Sequence, residues 1–201
     1  LDHAMVALAD GRPAEAERLL RRARDRFDHL EQADAAESAI SLLGDDTARA
    51  YAGEDHEKVL VRAMLALADL AHDGDDAEAY SLQVIDKQRQ ILEAAARDDG
   101  FNPKAGYPQV ALAPYLRGVL REATHRDYDD AARHFALVAA WQPEFTAGPA
   151  HRGRAAEAVH SRRGNGVVHV FALVGQGPFK AEVVEMPSSL SVAIAGELLA
   201  G

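Results

Sequence analysis

At 201 residues, with 48% apolar and 27% charged side chains, the chain has the make-up of a folded globular protein large enough for one or two cores. It contains no Cys, which excludes disulfides and thiolate metal centres, and it has no run of about 18 apolar residues, which excludes a membrane-spanning helix. The formal charge of −10 is uneven: residues 31–101 carry seventeen acids against six bases, while the flanking thirds are close to neutral. Such a surface repels nucleic acid. It reads as a solvated helical face or as a docking surface for a basic partner.

Aromatic residues are only 6% and Ala is abundant, a composition suited to closely packed helices. The segment LDHAMVALADGRPAEAERLLRRARDRFDHLEQ predicts two helices joined at Gly11, with Pro13 in the first turn of the second. Ala16, Leu19, Leu20, Ala23 and Phe27 recur at three- and four-residue steps and form one apolar stripe. Six Arg between positions 12 and 26 alternate with acids, which predicts a salt-bridged, solvated face. ADAAESAISLLG then reads as a short separate helix, followed by a linker through Gly53.

The next pair is predicted from HEKVLVRAMLALADLAHDG and DDAEAYSLQVIDKQRQILEAAARDDG. In the first, Val59, Leu60, Ala63, Met64, Leu67 and Leu70 should make the central seam. His56-Glu57 at its head lacks the second His four residues on that a metalloprotease helix needs, because Leu60 stands there. Glu54 or Asp55 is instead placed to cap the helix, and acids in its first turn suit the helix dipole. FNPKAGYPQVALAP predicts a connector, and PYLRGVLREATHRDYDDAARHFALVAAWQP a third helix pair ending at Pro143. Residues 144–163 read as a poorly periodic linker with one helical turn near 154–160. VVHVFALV and KAEVVEM, joined through GQGPF, predict a β-hairpin that packs on the helices near Trp141 or leaves an edge for a partner strand, and PSSLSVAIAGELLAG a final helix.

No nucleophile elbow, phosphate loop or dinucleotide fingerprint occurs. Asp45/Asp46 and Asp75/Asp76 lack the alternation of a calcium loop. His125 and His134 read as solvated, and His169 as an exposed strand residue. Trp141, Phe135, Tyr115 and Tyr128 read as core. No catalytic residue, cofactor or metal is expected. The expected class is therefore mainly α: a helical-hairpin array over 1–143, then a linker, β-hairpin and helix over 144–201.

The three helix pairs, near 1–28, 57–97 and 112–143, resemble tetratricopeptide repeats. Ala131, Phe135 and Pro143 occupy the small, aromatic and terminal proline slots of the third, and Gly11, Ala16, Leu20 and Ala23 fit the first. The array is irregular: the usual Trp is absent and the repeat spacing is uneven. The order of Tyr51, Gly53, Glu54, Asp55 and Glu57, then Pro114-Tyr115-Leu116, then Gly175, Pro178 and Lys180 resembles an uncharacterised group of bacterial tetratricopeptide-type proteins. That resemblance implies a cell-envelope setting on the periplasmic side, often with a lipid anchor. A leader upstream of Leu1 is consistent with it, and a cytoplasmic setting stays open. The expected function is a non-catalytic scaffold or adaptor for another protein or peptide, with Tyr51, Glu54, Asp55, Glu57, Tyr115 and Lys180 as candidate partner-binding residues. The alternative is an enzyme or enzyme-regulatory module using Glu57, His169 and Lys180 where helices meet strands.

Overall fold

The computed structural model describes residues 1–38, 51–161 and 164–174, with side chains of 34–38 left aside. Two compact units are present, Leu1–Val168 and His169–Gly201. Seven helices lie among the described residues: α1 (Asp2–Ala9), α2 (Pro13–Ser38), α3 (Asp55–Leu70), α4 (Ala77–Ala95), α5 (Leu112–Ala123), α6 (Tyr128–Trp141) and α7 (Ala147–Ala156). No described helix is long and apolar enough to cross a membrane.

Every substantial helix–helix packing joins neighbours in the chain, from α1 on α2 through to α6 on α7. This serial order follows from the sequence. Each helix carries an apolar stripe, and the next helix in the chain is the surface that covers it. The α2 stripe behaves as read: Ala16, Leu20 and Phe27 are buried, and Leu19 and Ala23 pack partly buried against the same cluster.

Helix α3 is the exception to a one-sided stripe. Val59, Ala63 and Leu67 of the expected seam are buried, but Val61, Leu65, Ala66 and Ala68 on other faces are buried as deeply or more so. The run VLVRAMLALADL is apolar nearly all round, and such a helix belongs inside. Its polar members are neutralised in place. Arg62 pairs with Asp28 and donates to the Lys58 carbonyl at 2.6 Å, while Lys58 and Lys87 converge on Glu31 at 3.3 and 2.6 Å. Burial tends to raise the Glu31 carboxyl, but Lys87 and Lys58 outweigh it and hold the group below the ordinary range.

Three expectations need correction. The first part of the expected separate helix, residues 33–38, is instead continuous with α2, because nothing from Ala14 to Ser38 is Gly or Pro and Ala33, Ala35 and Ala36 favour continuation; its remainder lies outside the described residues. The linker after Pro143 contains α7, whose Ala155 is 1% exposed and joins Ala131 and Phe135 in one core cluster. Pro149 falls in the first turn of α7, where its missing N–H costs nothing. Third, no strand occurs among the described residues. Residues 165–174 have no regular secondary structure, and Val168 and Val170 are 86% and 85% exposed. The second arm of the expected hairpin and the final helix lie outside the described residues.

Glycine sets one close approach. Gly118 lies inside α5, and a Cβ there would stand 2.6 Å from Phe135 Cε1 on α6. The α5–α6 pair packs at this distance because residue 118 has no side chain.

Candidate functional site

The head of α3 gathers four of the candidate partner-binding residues. Glu54 is extended (φ −77°, ψ 158°) and is the N-cap; its carboxylate accepts the Glu57 backbone N–H, and the Glu57 carboxylate accepts the Glu54 N–H at 2.9 Å. This reciprocal capping box starts the helix. The Tyr51 hydroxyl donates to the same Glu57 carboxylate. Beside this acceptor the Tyr51 phenol is pushed up to about 12. Burial tends to raise the Glu57 carboxyl, yet the bonds from Tyr51 and from the Glu54 backbone hold it below its ordinary value. Gly53 (φ +81°) completes the entry. A Cβ there would meet the Phe27 ring at 2.8 Å, so the turn seats directly on α2. His56-Glu57 is therefore a helix start, with no ligand geometry.

Sequence reasoning missed the other half of this surface, which comes from the α4–α5 connector. Asn102 donates to the Leu92 carbonyl at 2.8 Å and Val110 N–H donates to Gln88 at 2.5 Å, which pins the connector to α4. Lys104 Nζ then reaches Asp55 at 2.5 Å and lies 5.9 Å from the Tyr107 ring centroid. Arg97 stands 5.2 Å from the Phe101 ring centroid. Tyr51, Phe101 and Tyr107 are 62%, 55% and 50% exposed. The available signal was Phe101, Lys104 and Tyr107 at three-residue steps in FNPKAGYP, a segment rich in Pro and Gly and so confined to the surface.

Tyr115 belongs to a different cluster. Its ring meets Phe135, Phe145 and His151 at centroid distances of 5.9, 5.6 and 5.6 Å, and burial raises its phenol. Lys180 lies outside the described residues, and His169 falls in the second unit. Glu57, the third residue of the enzymatic alternative, has its carboxylate engaged by Tyr51 and the Glu54 N–H.

Two polar clusters that join helices were not legible in the sequence. Glu122 is fully buried on α5 and takes a bidentate pair from Arg154 of α7, both bonds 2.6 Å, with His160 Nδ1 3.6 Å away. The Glu122 carboxylate raises the Arg154 guanidinium further above its usual value. His134 is not solvated as expected: Arg117 Nε donates to its Nε2 at 2.9 Å and its Nδ1 lies 2.8 Å from the Asp130 carbonyl, which ties α5 to α6. The pairing appears only once α7 and the α5–α6 turn are folded, since the partners are 17 to 38 positions apart.

The second cluster sits where α2, α3 and α4 meet. One carboxylate oxygen from each of Glu17, Asp69 and Asp76 falls within a 4.8 Å group. Arg21 already donates to Glu17 at 2.5 Å and to Asp76 at 2.9 Å, and the Tyr80 hydroxyl donates to Glu17 at 2.9 Å. Asp69 accepts the Asp76 N–H at 3.1 Å and so satisfies the start of α4. Burial, then the Glu17 charge, raises the Asp69 carboxyl. The chain thus supplies its own cation to these acids, and the cluster locks three helices.

Comparison with protein-family models, with curated proteins and with solved structures finds no match to this chain.

Proposed function

We propose that the chain is a non-catalytic scaffold or adaptor, an irregular tetratricopeptide-like array that holds another protein or peptide in the bacterial cell envelope, with a lipid anchor upstream. The observation that carries this reading is the serial packing of α1 to α7. A serial array presents surface from every helix pair and its connectors, which suits it to gripping an extended partner. The deep polar groups support the reading from the other side. Arg62, Lys87, Glu122 and Glu17 are spent on joining helices, whereas the aromatic rings beside α3 are turned to solvent. The envelope setting rests on the motif order at 51–57, 114–116 and 175–180.

Affinity capture tests the proposal. The full chain, immobilised and mildly cross-linked in a bacterial envelope extract, should retain a discrete protein in near-stoichiometric amount that a helical protein of equal charge does not retain. Recovery of nothing beyond that control sinks the scaffold reading.

A further inference from the structure

We infer that the surface formed by the first turn of α3 and the α4–α5 connector is a docking site for a Lys- or Arg-rich peptide segment of another protein. This rests on the scaffold reading and names the partner class for it. Two exposed rings stand beside the acids of this turn: Tyr51 donates to Glu57, and Tyr107 lies beside Lys104, which pairs with Asp55; Phe101, also exposed, belongs to the same connector. The three rings are the most exposed aromatic side chains among the described residues, at 50–62%. Asp98 and Asp99 precede Phe101 in the same connector and are exposed, and Asp99 accepts the Phe101 N–H at 2.9 Å. Lys58 in the same turn is buried and turned toward Glu31.

What these rings bind is indicated by what they already hold. Arg97 lies over Phe101 and Lys104 over Tyr107, at 5.2 and 5.9 Å from the ring centroids. The quadrupole of an aromatic face attracts a cation, and neighbouring carboxylates add to that attraction. A basic peptide would bring further cations to the Tyr51 ring and to the outer faces of Phe101 and Tyr107. Its charge would also meet the most acidic third of the sequence, which steers association. An acidic or apolar partner would gain none of this and would have to desolvate the carboxylates.

The test uses the intact chain and fluorescein-labelled octa-arginine, with octa-glutamate as the negative probe. Fluorescence anisotropy at physiological salt compares the wild type with two variants. The first carries Tyr51→Ser, Phe101→Ser and Tyr107→Ser, which removes the rings and leaves every charge. The second carries Asp86→Asn and Glu93→Gln, which removes two acids from an exposed pairing with Arg89 on α4. The expected result is at least fivefold weaker octa-arginine binding in the ring variant, less than twofold in the acid variant, and no octa-glutamate binding. Equal weakening in both variants would mean diffuse attraction to an acidic protein, and overturns the site. Hydrogen exchange on the wild type guards against misfolding of the ring variant: octa-arginine should protect 51–57 and 97–107, and protection elsewhere overturns the site as well. If affinity capture still retains the same protein with the ring variant, this site is wrong while the scaffold stands. If capture with the wild type retains nothing, the scaffold reading itself fails.

Discussion

Gly118→Ala is the substitution whose sign the packing decides. In an open helix interior, Gly→Ala is favourable by about 0.5–1 kcal/mol, because Gly loses more backbone freedom on folding. At position 118 the added methyl would lie 2.6, 2.8 and 2.8 Å from three carbons of the Phe135 ring. Carbon atoms pack comfortably at about 3.5–4.0 Å, so a retreat of about 1 Å is required. Phe135 has no easy retreat: it is 0% exposed, with Tyr115 and His151 edge-on at 5.9 and 5.5 Å. Overpacking of this kind costs about 1–3 kcal/mol. Set against the propensity gain of about 0.5–1 kcal/mol, the net expectation is a loss of up to about 2.5 kcal/mol, read as a lower urea midpoint at unchanged slope. Gly153→Ala in α7 is the matched control, since nothing lies within 4 Å of its added methyl, and it should stabilise by about 0.5–1 kcal/mol. The same Gly118→Ala change in a Phe135→Leu background should lose its penalty. If Gly118→Ala stabilises the protein as Gly153→Ala does, α5 and α6 do not approach as described and the argument fails.

Three further perturbations test the interior. Leu67→Ala, at a site 9% exposed, should cost about 2–5 kcal/mol in chemical denaturation, whereas Val6→Ala at 54% exposed should stay within about 0.5 kcal/mol. Asp69→Asn keeps an oxygen to accept the Asp76 N–H and removes a carboxyl whose folded value is raised by burial and by Glu17. A raised carboxyl adds stability below its unfolded value and loses it as pH rises through the folded value. The Asn variant should therefore match or exceed the wild type in melting temperature at pH 7, with its advantage shrinking toward pH 4; a large loss at pH 7 would show that the charge is needed. Arg154→Met strands the fully buried Glu122 carboxylate and should cost about 3–5 kcal/mol. Adding Glu122→Gln to it should recover a large part of the loss, and additive losses would refute the pairing.

Much of the architecture was legible because it is written in local pattern. The Ala16–Leu20–Phe27 stripe, the Gly11 and Gly74 turns and the capping acids of α3 each act within a few residues, and each is found where the spacing puts it. Legibility failed where distant residues decide. Nothing local marks Glu122 as buried, and its partner Arg154 lies 32 positions on. His134 looked solvated because Arg117 lies a full helix away. Helix α7 was obscured by two Gly and a Pro, which tertiary contact with α6 overrides. On the candidate surface, Glu54, Asp55 and Glu57 were found through helix-entry chemistry and Tyr51 through a motif resemblance, while Lys104 joins them by a fold-back of 49 residues from Asp55 that no local pattern records.

Cross-linking mass spectrometry on the full chain in a bacterial envelope extract tests the central claim most directly. The account predicts one dominant partner whose Lys- or Arg-rich segment is linked to residues in 51–57 and 97–107, and whose yield drops with the Tyr51, Phe101 and Tyr107 ring variant. A chain that forms no reproducible cross-link to another protein would contradict the account at its root.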